Sequence, residues 1–437
     1  MLGIALSNFF EKIKNFFERQ TDNFHVLLVS MVLNTSIKTM TTGQAAQGGA
    51  AAGASYLQLY IRGLGADAQQ VGILNSLTHI ANTMFALPMG WISDRFSLKK
   101  IAIAGYTLSV IAPIAFVLST KWTQAMPAMM INGITVAGMI TNVFYITSVR
   151  EHSDRATAMS LKSTLTALVG VVVPSLSAII VLRFGGIGVA GIRPIFIIEI
   201  VASFFVLIYA SLKLKEAGFL QQKESRIKKR GFFQDYKEIV RIPAFQKWTS
   251  TKCLRSFFRT SMLPFYTLFY VEIKGADPIT IAAMGTIATI GALLFLIPFG
   301  RLADKYGRKK IIYLTRPFNY ISIIIAIFAP TPEWLIVAAF LGAFTSVSNL
   351  MEITLEHELL PEEQRGRVAG LNSFIWGLVA IPGPILAGYL WERVNPIFLL
   401  LSPILADLPF LMILPTIPDI SRGENELYKR QEKLATS

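Results

Sequence analysis

Three basic residues share one face of an otherwise apolar stretch of this 437-residue chain. Lys252, Arg255 and Arg259 are three and four residues apart, and this spacing aligns side chains along one side of a helix. An ionised side chain inside a membrane helix costs at least about 2.5–3.5 kcal/mol on insertion scales. Each cation therefore requires a partner or a water-filled cavity, and the spacing predicts ion pairs or a site for an anion.

A fourth cation lies at a similar depth in the first apolar run. Aligning Leu33–Met40 with Leu254–Ser261 pairs Lys38 with Arg259. The structural alternative to an anion site is ion pairing with acidic residues of the tenth apolar run. By depth, Glu352 and Glu356 suit Lys252 and Arg255 as such partners.

The composition indicates which elements must position these charges. Hydrophobic residues make up 53% of the chain and charged residues 16%, whereas a soluble domain has about 25% charged residues. No soluble core could bury so much hydrocarbon, so we predict an all-α integral membrane protein surrounded by lipid. The single cysteine, Cys253, excludes an intramolecular disulfide and a thiolate metal cluster, and we expect no metal and no cofactor.

Twelve apolar runs are long enough to cross about 30 Å of hydrocarbon. They cover residues 24–60, 69–90, 99–119, 124–148, 159–182, 192–212, 247–271, 279–300, 309–329, 333–357, 366–390 and 396–417. Of the 41 Lys and Arg residues, thirty fall in the termini, in the loops on the same side and in the span ends that flank those loops, six fall in the opposite loops, and the remaining five lie deeper inside runs. Because basic loops face the cytoplasm, we predict a multi-pass protein of the cell membrane with both termini cytoplasmic. The net charge of +14 then reflects orientation, and we expect no nucleic-acid partner.

A repeat with an offset of 210 residues divides the chain into two halves. Gly65–Asp67 recurs at Gly275–Asp277, and the same offset relates Asp94 to Asp304 and Pro174 to Pro384. Parallel repeats of this kind form two bundles with a substrate site between them, near the middle of the bilayer. The predicted organisation is an amphipathic cytoplasmic segment (1–23), a six-helix bundle (24–212), a cytoplasmic linker (213–246), a second six-helix bundle (247–417) and a cytoplasmic tail (418–437).

Two loops carry a motif at this same offset. Gly300–Lys310 reads GRLADKYGRKK and resembles the signature loop of the major facilitator superfamily, and Gly90–Lys100 (GWISDRFSLKK) is a weaker copy. The resemblance covers essentially the whole chain and implies twelve transmembrane helices in two pseudo-symmetric six-helix bundles. It also implies a conformational latch between the bundles, formed by Gly90, Asp94, Arg95, Gly300, Asp304, Gly307 and Arg308. We expect Gly300 to permit close helix packing; a purely topological role of the loop is the alternative.

The same resemblance implies that the first, fourth, seventh and tenth helices line a central cavity. Lys38 and Arg259 would then face one site, similar to the anion-exchanging branch of the family. The substrate-binding candidates on this hypothesis are Asn34, Lys38, Arg255, Arg259 and Tyr266. Protonatable groups inside the spans are candidates for proton coupling, namely His79, Glu199, Glu352 and Asp407. Arg316, seven residues after Lys309, is interpreted as bracing the cytoplasmic loop.

These features together predict a secondary active transporter, either a symporter or an antiporter, that works by alternating access. Its partners would be the lipid bilayer, a small anionic or carboxylate-bearing substrate and a coupling proton or exchange anion, and we expect a monomer. The sequence lacks the P-loop pattern of ATPases. One alternative is a proton-coupled efflux pump for amphipathic compounds. Alternatives of another class are a non-transporting membrane sensor and a membrane enzyme, although we find no catalytic residue pattern.

Overall fold

The computed structural model describes residues 15–43, 55–134, 136–151, 154–216, 243–358 and 365–417. Within its helices, the side chains of residues 87–95, 136–140, 143, 156, 243–244, 357–358, 365–370 and 373 are outside this description. The described part of the chain is built from helices and contains no strand. The predicted cytoplasmic tail lies outside the described residues, as do most of the predicted N-terminal segment and linker.

The first six spans form the N-terminal bundle, and two of them consist of two helical pieces. In chain order they are α1 (Asp22–Thr42) with α2 (Tyr56–Gly63), α3 (Ala68–Arg95), α4 (Leu98–Leu118), α5 (Met126–Gly133) with α6 (Val136–Thr147), α7 (Arg155–Arg183) and α8 (Val189–Lys213). Gly43 ends α1 in a left-handed conformation, with φ 63°, a geometry that glycine adopts without steric cost. The predicted run 24–60 is therefore not one helix through Gly43; residues 44–54 lie outside the description.

The C-terminal bundle repeats this arrangement. Its spans are α9 (Pro243–Leu268) with a π-helical turn (Phe269–Ile273), α10 (Pro278–Tyr306), α11 (Arg308–Phe328), α12 (Trp334–Gly342) with α13 (Phe344–Glu358), α14 (Arg365–Ala380) with α15 (Pro382–Arg393), and α16 (Pro396–Ile413). Among the described helices, eight segments are long and apolar enough to cross a membrane by length and composition. The predicted fold, with twelve helical spans in two groups of six, is confirmed.

The two bundles meet through helices that the repeat relates. The second span (α3) packs on the eleventh (α14 and α15), and the fifth span (α7) packs on the eighth (α10). The repeat relates each span to the one six places away, so the second span corresponds to the eighth and the fifth to the eleventh. The two contacts are therefore equivalent, as expected of a pseudo-twofold axis between parallel repeats. The described structure therefore holds the halves together along two matched seams.

One end of the molecule is closed by contacts between the bundles. We call it the outer end and define it by the loops 64–67 and 274–277. There Arg62 pairs with Glu272, with Nε 2.7 Å from Oε1 and Nη2 3.1 Å from Oε2. The Ala68 backbone N–H donates to Glu392, 2.9 Å away. These contacts join the first span to the seventh and the second to the eleventh, so they favour a conformation that is shut at this end.

Glycines make the same closure possible by close backbone approach. A Cβ at Gly72 would overlap the Pro384 carbonyl oxygen, and one at Gly388 would lie 2.7 Å from the Gln69 Cα. We therefore expect Gly72→Ala to separate the second and eleventh spans and to open the outer end. Spin labels at the exposed positions 184 and 273, one in each bundle, should report a longer distance.

The matched control for this prediction is Gly188→Ala, because a Cβ at Gly188 meets open space. That substitution should leave the label distance as in the parent protein. An unchanged distance in Gly72→Ala would show that the backbone contact at Gly72 does not hold the outer end shut.

Gly300, near the loop between the eighth and ninth spans, shows no close packing against the described residues, because a Cβ there would meet no described atom within 4 Å. Gly307 has φ 94° and its N–H bonds to the Ala303 carbonyl, so it ends α10 before Arg308 begins α11. Asp304 is exposed in the last turn of α10. The latch candidates Gly90, Asp94 and Arg95 lie where side chains are outside the description.

Candidate functional site

One cavity is lined by residues of the C-terminal bundle. Its volume is about 380 Å³, and its wall comes from α9, α11, α13, α14 and α16. Lys252, Arg255 and Arg259 all line it, as the three- and four-residue spacing predicts for one helix face. Arg316 of α11 is the fourth cation in the wall.

Two acidic residues from different spans hold two of these arginines. Arg255 places Nη1 2.9 Å from the Glu352 carboxylate and also contacts the Asp407 carboxylate. Arg316 contacts Glu352 and lies 3.0 Å from Asp407. Tyr320 donates a further hydrogen bond to Asp407, at 2.8 Å. This arrangement ties the seventh, ninth, tenth and twelfth spans together through a buried square of alternating charge.

Lys252 adds a third cation to this charge network, and Glu356 adds a third carboxylate. Its Nζ lies 3.0 Å from Glu356 and 3.9 Å from Glu352. The same ammonium sits 5.0 Å from the ring centres of both Trp248 and Trp376, within the range of cation–π attraction. Glu356 also accepts hydrogen bonds from the Trp248 indole at 3.1 Å and from Asn372 at 2.7 Å. The alternative that pairs Lys252 and Arg255 with Glu352 and Glu356 therefore describes this part of the site.

Arg259 is not part of this charge-balanced network. Within the described residues, the network contains three cations and three carboxylates: Lys252, Arg255, Arg316, Glu352, Glu356 and Asp407. Arg259 is exposed and donates to the Asn349 amide oxygen at 3.3 Å, with no carboxylate within ion-pair distance among those residues. Asn349 and Tyr266 line the same cavity. The cavity therefore carries one positive charge that no described acidic side chain neutralises.

The structure corrects the interpretation of Arg316. This side chain is 4% exposed and binds Glu352 and Asp407 inside the bundle, so it does not brace the cytoplasmic loop. Its distance from Lys309, seven residues, is two helical turns. This spacing is compatible with a buried position, but no spacing in the sequence indicates which acidic residues Arg316 contacts.

A second, smaller cavity lies in the N-terminal bundle. Its volume is about 120 Å³, and its lining includes Asn34, Lys38, Tyr106, Asn132 and Thr141. The Asn34 amide oxygen is buried without a hydrogen-bond partner in the described structure. Lys38 and Arg259 thus line different cavities in this conformation.

Lys38 has an acidic neighbour in the sixth span. Glu199 is 5% exposed, and Lys38 is the cation that acts on it electrostatically, with Thr41 as a hydrogen-bonding neighbour. The proton-coupling candidates are therefore separated. Glu199 belongs to the N-terminal bundle, Glu352 and Asp407 belong to the charge network, and His79 lines neither of the two cavities.

The sequence did not single out several residues that complete the larger cavity. Trp376 lines it, and its indole N–H is buried without an acceptor among the described residues. Asn319 accepts a hydrogen bond from Thr345 at 2.7 Å, and both residues face the cavity. In the sequence, these residues appear only as polar and aromatic side chains at a similar depth of several spans. Which of them face the cavity depends on how the helices pack.

Comparisons with known proteins agree with this architecture. The profile of the family described as Major Facilitator Superfamily matches residues 40–277 and 250–432. Multidrug resistance protein 2 of Bacillus subtilis (strain 168) is 26% identical over 315 residues, which are 69% of this chain and 74% of that protein. The multi-drug resistance efflux pump PmrA homolog of Lactococcus lactis subsp. lactis (strain IL1403) is 24% identical over 366 residues, 77% of this chain and 84% of the relative. A crystal structure of a variant of the nucleoside transporter NupG superposes with a TM-score of 0.72 at 13% identity, covering 90% of this chain and all of that one.

Proposed function

The chain belongs to the major facilitator superfamily of membrane transporters, and from this premise we propose that it carries small organic anions. The binding site is the cavity of the C-terminal bundle, and Arg259 holds the anionic group. Transport follows from alternating access, in which the two bundles rock about the central site. The protein is a transporter rather than an enzyme.

The positive charge left on Arg259 is the observation that carries this proposal. A cation inside the bilayer is expensive unless a carboxylate, a phosphate or water surrounds it. Every other cation of the cavity already contacts a described acidic side chain. An anionic substrate would complete the charge balance, whereas a cationic substrate would meet an unfavourable potential.

The rest of the cavity wall limits the form of the substrate. Ile323, Ile353 and Pro403 provide apolar surface, while Asn349 and the Trp376 indole provide polar groups. Pockets of this kind take ligands with an apolar body and a few placed polar groups. We propose a monoanion with an apolar or aromatic body and an acceptor for the Trp376 N–H.

The charge preference is tested by a pair of ligands of similar size. Benzenesulfonate is a permanent anion and benzyltrimethylammonium a permanent cation. We expect benzenesulfonate to quench the tryptophan fluorescence of the purified protein and to be displaced by other organic anions such as benzoate. Benzyltrimethylammonium should leave the signal unchanged, because its charge is repelled by Arg259. Binding of the cation with no binding of the anion would overturn the proposal.

Trp376 offers a smaller test of the same site. Trp376→Phe keeps an aromatic ring but removes the indole N–H, which we propose donates to the substrate. A neutral hydrogen bond contributes about 0.5–1.5 kcal/mol, so the affinity for an accepting ligand should fall about two- to tenfold. The comparison of benzenesulfonate binding to the two proteins measures this change. An unchanged affinity would mean that the indole N–H does not reach the ligand.

A second candidate function is efflux of amphipathic compounds, and the names of two relatives favour it. The apolar surface of the cavity would suit such compounds, but the charge of Arg259 would not suit cations among them. Ethidium export from cells that overproduce the chain separates the two functions. Strong ethidium export that survives Arg259→Ala would favour the multidrug alternative.

Orientation and coupling complete the proposal. From the distribution of basic residues we propose that both termini are cytoplasmic, so that the closed outer end faces away from the cytoplasm. Because the sequence contains no P-loop pattern, we propose that a proton or an exchanged anion drives transport. We also propose that one chain, without a second copy, forms the complete transporter.

A further inference from the structure

The polar side chains that line the larger cavity, in the C-terminal bundle, differ in whether they can accept a hydrogen bond. The basic ones carry N–H donors and no acceptor, namely Lys252, Arg255, Arg259 and Arg316. The Trp376 indole is also a donor only, and its N–H is buried without an acceptor among the described residues. The hydroxyl groups of Ser256 and Tyr266 can rotate to donate or to accept. The carboxylate and amide oxygens therefore decide whether the described wall offers a fixed acceptor to a ligand.

The carboxylate oxygens of the described wall are already engaged by cations. In Glu352, Oε1 contacts Arg316 and Oε2 lies 2.9 Å from Arg255 Nη1. In Asp407, Oδ1 contacts Arg255 and Oδ2 lies 3.0 Å from Arg316. Oδ2 also accepts a hydrogen bond from Tyr320 at 2.8 Å. Because an ionised donor holds a carboxylate more strongly than a neutral donor does, a neutral N–H group of a ligand would compete poorly for these oxygens.

Two asparagine amides of the wall have their oxygens occupied. Arg259 Nη1 lies 3.3 Å from Asn349 Oδ1, and because a guanidinium can only donate, the amide turns its oxygen toward Arg259. The Thr345 hydroxyl donates to Asn319 Oδ1 at 2.7 Å. Both asparagines line the cavity. These hydrogen bonds to described residues use the amide oxygens, so the NH2 group of each asparagine remains as a donor for a ligand.

The two amides lie about one helical turn apart along the wall. Asn349 and Thr345 are four residues apart on α13, which places them on one face of that helix. Asn319 of α11 bonds to Thr345, so its amide lies beside the turn that precedes Asn349. An anionic group at Arg259 therefore has one amide donor next to it, on Asn349. The body of the same ligand meets the second amide donor, on Asn319, about one turn further along the cavity.

We propose that Asn349 and Asn319 select an organic anion whose body carries a further acceptor oxygen, such as a ketone, ester or ether group, and no amino group. The anionic group contacts Arg259 and the NH2 group of Asn349, and the second acceptor contacts the NH2 group of Asn319. Keto acids and acyl-substituted aromatic acids have this chemistry, whereas amino acids and amino-substituted aromatic acids lack it. This inference rests on the proposed function, because it takes the anion at Arg259 as its premise and adds the hydrogen-bonding pattern of the rest of the ligand.

Two sulfonates that share the ring and the charge test this pattern. Opposite the sulfonate, para-acetylbenzenesulfonate carries an acceptor and para-aminobenzenesulfonate carries a donor, and both are monoanions at neutral pH. An amino N–H that faces another N–H loses its hydrogen bond to water without replacement, whereas the acetyl oxygen gains a donor. We therefore expect calorimetry on the purified protein to show at least about fivefold tighter binding of the acetyl compound. Equal affinities, or tighter binding of the amino compound, would overturn the inference.

Thr345→Val tests whether Asn319 is responsible for the preference. Valine has nearly the shape of threonine but cannot donate to Asn319, so the amide oxygen becomes free to turn toward the ligand and to accept from an amino group. The preference for the acetyl compound should then fall to within about twofold. Benzenesulfonate, which has no second polar group, should bind as tightly as to the parent protein and so report an intact fold. A preference as large as that of the parent protein would overturn the role of Asn319.

Thr354→Val is the matched control for this substitution. Thr354 lies on the same helix and donates to the Leu350 carbonyl at 2.7 Å, but it does not line the cavity. Its replacement should leave both affinities and their ratio as in the parent protein. The ligand series also separates the inference from its premise. Binding of both substituted sulfonates without preference would leave the anion site and overturn the donor pattern, whereas no binding of any sulfonate, benzenesulfonate included, would contradict the proposed function itself.

Discussion

Arg259→Ala is expected to abolish most of the affinity for organic anions. Arg259 is exposed in this conformation, and an anion bound in the cavity would cover it; removing one partner of such a buried, hydrogen-bonded charge pair costs about 2–5 kcal/mol or more. Because 1.4 kcal/mol corresponds to tenfold, benzenesulfonate binding should weaken at least about 30-fold. The effect should be large because Arg259 carries the charge that the described carboxylates leave unbalanced.

Two variants separate loss of charge from loss of fold. Arg259→Lys keeps the positive charge and should retain part of the affinity, although its single ammonium cannot form a bidentate contact. Lys274→Ala removes a cation outside the cavity, at the outer end, where its Nζ donates to the Ala329 carbonyl at 3.1 Å. It should leave the affinity close to that of the parent protein. Comparable affinity in Arg259→Ala and the parent protein would contradict the site.

The second large effect concerns stability and follows from the charge network. Arg316, Glu352 and Asp407 are 4%, 5% and 6% exposed, so removing one of them leaves one unbalanced charge in the buried network. Breaking such a pair typically costs about 3–5 kcal/mol. We therefore expect Arg316→Gln to lower the free energy of unfolding by about this amount, measured by titration with a denaturing detergent in mixed micelles.

The network also predicts how substitutions combine. Arg316→Gln with Asp407→Asn removes one charge of each sign, so the double variant should lose less stability than the sum of the single variants. Arg301→Gln is the control, because Arg301 is exposed on α10 and surface substitutions usually change stability by less than about 0.5 kcal/mol. An effect of Arg316→Gln no larger than that of the control would show that the network does not stabilise the bundle.

Those parts of the structure that depend on local sequence pattern and on the internal repeat could be predicted from the sequence. Apolar runs and the 210-residue offset predicted two six-span bundles, because lipid requires the backbone groups to be hydrogen-bonded within helices and the repeat copies the order of the spans. The spacing of Lys252, Arg255 and Arg259 predicted their shared face, since neighbours on a helix are three and four residues apart. The depth of these residues in their spans also predicted that Lys252 and Arg255 pair with acidic residues of the tenth span.

Packing between distant spans supplied the rest of the site. Arg316 meets Glu352 and Asp407 because the ninth, tenth and twelfth spans converge, and no sequence spacing relates those three positions. The separation of Lys38 from Arg259 into two cavities likewise depends on how each bundle packs internally. The break of the first span at Gly43 was compatible with the glycine-rich sequence, but an intact helix was compatible as well.

Exchange across a membrane tests the central claim most directly. Proteoliposomes loaded with unlabelled benzenesulfonate would be diluted into medium that contains labelled benzenesulfonate, and the uptake of label would be followed for the parent protein, Arg259→Lys and Arg259→Ala. We predict rapid counterflow by the parent protein, reduced counterflow by Arg259→Lys, and counterflow by Arg259→Ala close to that of empty liposomes. Counterflow of labelled benzyltrimethylammonium that equals or exceeds that of benzenesulfonate and is insensitive to Arg259→Ala would contradict an anion site at Arg259.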